Sequence, residues 1–385
     1  MVRIGTVVTV ALALFGLAYA YELQQRGRPD RDKPSRYVWQ LPQGFPAPRV
    51  PADNPMTLDK VELGRQLFHD PRLSGDGTVS CASCHRPELA YTDGRSRAVG
   101  IRENIHPRSA MSLTNVAYNA TLGWDDPNLT RLEDQALVPL FNEQPLEMGV
   151  AGREDEVLAR FKNDPRYRLL FLRAFPADEN PVTMRNITRA LASFERTLIS
   201  GNSPYDHWAY GGKVDALNPD ERAGARLFFS RRLSCFRCHA GFNFSGAVVY
   251  EGSGRPEARF HNTGLYNRDG RGAYPEPNTG VHRHSGQIED MGRFRAPTLR
   301  NIALTAPYMH DGSVPTLEAV LDHYAAGGRA RSFGSDSRNL GLDATTDPLL
   351  TGFELTLEER RQLVAFLRAL TDESFLRKAK EQGVQ

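Results

Sequence analysis

Apolar positions along this chain recur mostly with helical spacing, and the clearest runs carry their own start signals. Val61, Leu67 and Phe68 fall on one face of a helix for which Thr57 is the expected N-cap. Thr356 with Glu359 forms a capping box ahead of Leu363, Phe366, Leu367 and Leu370. Alternating runs of the kind that make strands are scarce. Ten glycines, with several Pro, Asn and Asp, between Gly241 and Gly292 predict mostly loop there. The expected fold class is all-α.

The pattern is also written twice. "GRQLFHDPRLS" at 64–74 matches "GARLFFSRRLS" at 224–234, and "SLTNVA" at 112–117 matches "TLRNIA" at 298–303. Continuing the register sets Trp124-Asp125-Asp126 against His310-Asp311-Gly312. "LEDQALVP" at 132–139 then falls on "LEAVLDHY" at 317–324 after a one-residue slip, and "LASFERTL" at 191–198 echoes "LVAFLRAL" at 363–370. Self-similarity of this length predicts an internal duplication, drawn at 51–205 and 206–385. Residues 21–50 form a Pro-rich, charged stretch, a tether or a wrapping arm.

Composition narrows the function. The 385 residues suffice for two domains of ordinary size. A net charge of +2 with 24% charged residues, and no long basic run, excludes a nucleic-acid binder. Residues 1–20 hold Arg3, an apolar stretch from Ile4 to Ala20 and a small-x-small ending at Ala18-Tyr19-Ala20, so they read as a signal peptide. The alternative is an uncleaved anchor, since about 17 apolar residues come close to spanning a bilayer. In both cases the bulk of the chain is exported, and a periplasmic location is expected.

The cysteines then decide the chemistry. All four lie in two motifs, "CASCH" at 81–85 and "CFRCH" at 235–239. An exported chain favours disulfides, and paired Cys-x-x-Cys can also build zinc or redox sites. Neither explains why a histidine follows each second cysteine. Covalent c-type haem does: Cys81 and Cys84, and Cys235 and Cys238, would form thioethers, with His85 and His239 as iron ligands. Two such haems predict a pair of cytochrome-c-like domains.

The duplicated register makes the two haems unequal. Pro139 in one repeat corresponds to Tyr324 in the other. If this helix position faces the iron, the first haem meets a residue with no ligating atom and stays open. The second then meets a phenol, which can ligate iron or simply pack on its helix. Gln135 lies one turn before Pro139, and Glu147 follows eight residues after it. A carboxyl beside an open haem can shuttle the proton of hydrogen peroxide to the leaving oxygen. Trp124 is either a core residue or a relay between the haems.

These residues resemble the bacterial di-haem cytochrome c peroxidases, the superfamily that includes MauG. The likeness runs from about residue 45 to 372. It rests on both Cys-x-x-Cys-His motifs, "NVAYN" at 115–119, Trp124-Asp125, Gln135-x-x-x-Pro139, Glu147-Met148, "APTLRNIALTAPYMHDGS" at 296–313 and "DHYAAGG" at 322–328. The resemblance implies that His85 serves the peroxide-reacting haem and His239 the second. It implies that Gln135, Pro139 and Glu147 line the distal pocket and that Trp124 lies between the haems. Two extra residues separate Pro139 from Glu147 relative to the usual pattern.

Departures from the family pattern carry information too. The usual removable histidine opposite the first haem is replaced by Ile101, with His106 the alternative. The typical second-haem ligand is methionine, but this chain has Tyr324 at that position, and in this it resembles MauG; Met309 and His323 are rivals. The family's calcium ion between the domains would meet the carbonyls of Thr305 and Pro307, but its usual asparagine is Ser109 here. "LPQGFPAPRVPADNPMT" and "HPRSAMSLTNVAYN" further resemble the MbnH branch, which oxidises tryptophan on a copper-binding, MbnP-like partner.

The expected activity is therefore that of an exported peroxidase-like oxidoreductase. It takes peroxide at an open haem, stores oxidising equivalents on a Tyr-ligated haem and oxidises a protein substrate. One alternative is an ordinary peroxidase fed by a small cytochrome c or cupredoxin. Another is a plain di-haem electron carrier.

Overall fold

The computed structural model describes residues 35–254, 258–269, 272–329 and 345–383, with side chains described as far as Glu381. The expected signal segment 1–20 lies outside the described residues, as does the first part of the 21–50 stretch. The described part of that stretch is a wrapping arm. Phe45 packs edge-on against Tyr118 and Phe242, at ring distances of 6.1 and 4.8 Å, and the Tyr118 hydroxyl donates to the Pro46 carbonyl.

Helices of nine or more residues are α1 (Leu58–His69), α2 (Glu154–Lys162), α3 (Pro165–Ala174), α4 (Met184–Glu195), α5 (Pro219–Phe228), α6 (Leu317–Ala325), α7 (Leu357–Arg368) and α8 (Glu373–Gly383). The only two-stranded ladder among the described residues pairs β1 (Phe260–Asn262) with β2 (Arg293–Arg295), antiparallel. The start signals read from sequence operate as expected. The Thr57 side chain accepts from the Lys60 amide at α1, and Thr356 and Glu359 cap α7 reciprocally. The described residues of the glycine-rich stretch between Gly241 and Gly292 are loop apart from β1 and two single turns.

Two hydrophobic cores result. In the first, α1 buries Leu63, Leu67 and Phe68 against α4, which supplies Ile187, Leu191 and Phe194. In the second, α5 lays Ala225 and Phe228 against Leu363, Phe366 and Leu367 of α7. Each crossing turns on one glycine. A Cβ at Gly64 would lie 1.9 Å from the Ala190 carbonyl oxygen, and one at Gly224 would lie 2.0 Å from that of Gln362. The backbones touch at both points, which brings the flanking large side chains into contact. The last helix does not stay with its neighbours in sequence: Phe375, Leu376 and Ala379 of α8 join the first core.

Replacing either glycine by alanine should force the paired helices apart. Overpacking of this kind costs about 1–3 kcal/mol, so Gly64→Ala and Gly224→Ala should each lower the thermal midpoint in calorimetry. Unchanged midpoints would mean that the crossings are not held at backbone contact.

Candidate functional site

The first motif is a single helical turn, Cys81–Cys84, started by reciprocal Ser80 and Ser83 hydrogen bonds. Three-residue spacing puts both sulfurs on one side of that turn, and His85 closes it by donating its amide to the Cys81 carbonyl. The imidazole is fixed from behind: Nδ1 lies 2.9 Å from the Tyr91 carbonyl oxygen. A carbonyl only accepts, so Nδ1 carries the proton and Nε2 keeps its lone pair, the arrangement a metal-ligating histidine needs. Burial holds the ring neutral and holds the Cys84 thiol up at about 11, with Cys81 raised further. Neither sulfur is the low-pKa thiolate of a redox dithiol, and no cysteine forms a disulfide.

These three side chains line one cavity. Gln135, Pro139 and Glu147 line the same cavity, so the positions picked out from sequence converge. The convergence has a local cause. The Met148 amide donates to the Pro139 carbonyl and the Val150 amide to that of Leu140, which folds the segment after Pro139 back onto its helix. An isolated bridge between Glu143 and Leu146 closes the turn that precedes Glu147.

Desolvation sets the charge state of this cavity. Burial pushes the Glu147 carboxyl up to about 7 and the His106 imidazole down to about 4. His106 Nε2 is 3.9 Å from Glu147 Oε1. With both groups desolvated toward neutrality the contact is not an ion pair. Ile101 does not line the cavity. Its side chain is buried beneath Gly149, while its amide donates to the Glu147 carbonyl; His106 is the residue of that loop that lines the wall with Val99 and Gly100.

One further carboxyl lies here that sequence reasoning missed. Glu195, at the end of α4, lines the cavity with its Oε2 buried and unpaired among the described residues. Burial pushes it up to about 8. The sequence signal was present, a charged residue inside the apolar "LASFERTL" run, but was read only as a repeat.

The second motif follows the same plan. The His239 amide donates to the Cys235 carbonyl, and Nδ1 sits 3.2 Å from both the Phe244 and Pro297 carbonyl oxygens, which again leaves Nε2 free. Burial holds this ring neutral, at about 4, and the Cys235 thiol at about 12. Tyr324 projects from α6 beside this motif. Burial raises its phenol, and Cys238 and Cys235 are close enough to add to the effect. Of the rivals, His323 has Nε2 tied to the Thr263 carbonyl at 2.8 Å and Nδ1 buried with no hydrogen-bond partner among the described residues, and Met309 lines a cavity with Trp124. A pair missed from sequence lies beside Cys238. His261 Nδ1 is 2.5 Å from Asp347 Oδ2; burial opposes its charge, but Asp347 and Cys238 offset this and lift the imidazole to about 9.

Trp124 lines a second cavity with Ser109, Thr305, Pro307, Met309 and Arg295. The indole Nε1 donates to the Ser109 carbonyl at 3.1 Å. The three expected calcium positions do come together, yet no carboxylate lines this wall. The Ser109 hydroxyl donates to the Met309 carbonyl, and buried Arg295 adds a positive charge. Calcium takes six or more oxygens from carboxylates, carbonyls and water; the chain here offers carbonyls and no carboxylate.

The haem expectation, by contrast, fits what is present. Each motif offers two unbridged sulfurs on one turn and a neutral histidine with a free Nε2. The first adds a cavity with an unpaired buried carboxyl.

Comparison with known proteins follows the same line. The family model described as di-haem cytochrome c peroxidase matches residues 58–214, and one described as RoxA-like, cytochrome c-like matches residues 293–329. The methylamine utilization protein MauG of Methylorubrum extorquens is 38% identical over 334 residues, covering 86% of this chain and 83% of that protein. The cytochrome-c peroxidase IdrP1 of Denitromonas iodatirespirans is 35% identical over 345 residues, covering 85% of each. The crystal structure of a MauG-like protein associated with microbial copper homeostasis matches with a TM-score of 0.84 at 45% identity, covering 88% of this chain and 97% of that one.

The buried carboxyls make stability depend on pH in a stated direction. Glu147 and Glu195 titrate at about 7 and about 8 in the fold, above the ordinary glutamate value. Each contribution is whole below that ordinary value and is lost as pH rises through the folded one. The thermal midpoint should therefore fall between about pH 5 and pH 8. Glu195→Gln, which keeps a neutral polar group, should flatten that fall; an equally steep loss in the variant would contradict the assignment.

Proposed function

Because this chain belongs to the di-haem cytochrome c peroxidase family, which includes the MauG proteins, we propose that it reduces hydrogen peroxide at the haem of the first motif and spends the oxidising power on a protein substrate. Family membership makes it a di-haem c-type oxidoreductase. The finer reading rests on one observation above all. Pro139 and Glu147 line the first cavity, whereas Tyr324 stands beside the second motif.

We assign the two haems to two cytochrome-c-like domains, 51–205 and 206–385, related by duplication, with α8 returning to the first. The paired crossings at Gly64 and Gly224 support this. So do the left-handed asparagines Asn115 and Asn301, at φ of 57° and 59°.

Haem, when bound, supplies an iron that takes oxygen from peroxide and holds oxidising equivalents. The residues do the rest. Cys81, Cys84, Cys235 and Cys238 would fix the porphyrins, and the Nε2 atoms of His85 and His239 would hold the irons. Pro139, with no ligating atom, leaves room on the first. Glu147 accepts the proton from one peroxide oxygen and returns it to the other as water departs. A carboxyl poised near 7 is suited to both halves of that transfer. Gln135 offers an amide to orient the peroxide. Tyr324 would supply an anionic oxygen to the second iron. A phenol raised by burial gives up its proton where a metal cation takes the proton's place, and such ligation favours the oxidised state. Trp124 joins the two sites, and substrate need not enter either cavity.

The protein substrate we favour is a tryptophan side chain on a periplasmic copper-binding partner of the MbnP type. The 45% identical structural relative, associated with copper homeostasis, supports that choice. Export through residues 1–20 accords with covalent haem attachment and such a partner.

Two outcomes test this. Glu147→Gln should slow the peroxide reaction by roughly 100-fold or more with haem attachment and resting spectra unchanged; a wild-type rate removes its proton-transfer role. Peroxide treatment in the presence of a candidate copper-binding partner should add oxygen to a tryptophan of that partner by mass spectrometry. Turnover of a reduced cytochrome or cupredoxin, with the partner unmodified, would instead make this an ordinary peroxidase.

A further inference from the structure

Oxidising power held at buried sites needs a way out, and the second core contains a continuous set of rings beginning at Trp124. The Trp124 ring lies 6.5 Å from His310, centroid to centroid. His310 stacks on Phe294 at 3.8 Å and 12°, and lies 6.2 Å from Tyr274 and 6.4 Å from Tyr266. Tyr266 and Tyr274 are 5.4 Å apart, and Tyr274 is close enough to Tyr324 to act on its phenol. Both candidate sources, Trp124 and Tyr324, therefore lead to one residue, half-buried Tyr266.

What distinguishes Tyr266 is its proton acceptor. Its hydroxyl donates to Asp311 Oδ2, while Asp311 Oδ1 is occupied by the Ser313 amide. Removing an electron from a phenol makes its O–H strongly acidic, so oxidation is easy only where a base can take the proton. The Trp124 indole donates to a backbone carbonyl, which takes up no proton at neutral pH. The Tyr274 hydroxyl donates to the Asn262 amide oxygen, and its ring is buried. Tyr167 also donates to a carboxylate, that of Asp70, but its ring lies in the first core against Phe161.

We propose that Tyr266, paired with Asp311, is the one-electron oxidation site at which oxidising equivalents reach the protein surface. This rests on the peroxide reading above, which supplies the oxidant. Tyr266 loses one electron through the ring set to the oxidised haem centres, and its O–H proton passes to Asp311 Oδ2. The products are a neutral phenoxyl radical and a protonated carboxyl. An electron donor, an aromatic side chain of the substrate protein, returns the electron, and the proton goes back from Asp311. Exposed Arg268 and half-buried Arg329, both near enough to act on the phenol, flank this edge with positive charge.

The test uses the holoprotein. Freeze-quench electron paramagnetic resonance after hydrogen peroxide addition should show a tyrosyl signal, narrowed by ring-deuterated tyrosine. The signal should be absent in Tyr266→Phe and lost or strongly reduced in Asp311→Asn. Both variants should keep wild-type resting haem spectra, and their oxidised haem absorption should outlast that of the wild type several-fold. Tyr167→Phe should change neither. A nitroso spin trap added to the wild-type protein should leave its adduct on Tyr266, which decides the matter even if a variant fails to fold. A tyrosyl signal that survives Tyr266→Phe, or adducts only elsewhere, overturns the proposal. Absence of any change in haem absorption on adding peroxide overturns the peroxide reading instead, and the proposal with it.

Discussion

Two sites with different chemistry are useful only if their separation is fixed, and a buried hydrogen-bond seam fixes it. Ser200 exchanges backbone bonds with the Asn115 amide group, at 2.9 and 2.7 Å, and receives Asn301 Nδ2 on its hydroxyl at 3.1 Å. Asn301 Oδ1 takes the Asp372 amide, and Asp372 Oδ2 collects the Ser200 hydroxyl and the amides of Gly201 and Asn202. Burial opposes the Asp372 charge, but the Ser374 hydroxyl and the amides of Phe375, Asn202 and Gly201 hold its carboxyl below the usual range. In a low-dielectric interior a fully bonded network is rigid, while a half-bonded one is costly. The two asparagines adopt left-handed backbone, which few residues tolerate, so the seam constrains sequence as well as geometry. The buried Arg108–Asp125 and Arg300–Asp206 pairs brace the same region, the first beside Trp124.

The two motifs share a plan and differ in charge. Around the first, burial drives Glu147 and Glu195 up and His106 down, so the titratable groups lining that cavity are held toward neutrality. Around the second, the His261–Asp347 pair keeps a cation beside Cys238, and Tyr324 offers an oxygen whose proton only a metal would displace. On the proposed reading, proton handling is concentrated at one site and charge storage at the other, the division that a two-electron oxidant serving a one-electron exit requires.

Much of this was legible in the chain because it is local. Caps at Thr57 and Thr356 depend on the next three residues, and the sulfur and histidine placement in each motif depends on one helical turn. The repeat register extended that reach, since it set Pro139 against Tyr324 and Trp124 against His310, whose rings do meet. What escaped was contact across long separations between residues of ordinary type. Glu195 looked like any helix glutamate until α4 buried it. His261 and Asp347 are 86 positions apart, and Tyr266 and Asp311 are 45 apart. The return of α8 to the first core likewise depends on the seam at Asp372, which no periodicity announces.

The central claim is an inequality between two irons: one left open by Pro139, one closed by Tyr324. Electron paramagnetic resonance of the resting ferric protein reads this directly. The account predicts one high-spin and one low-spin haem in equal amounts, with the low-spin signal altered in Tyr324→Phe. Two low-spin haems in the wild-type protein would contradict it, because both irons would then carry two strong axial ligands and neither would be free to meet peroxide.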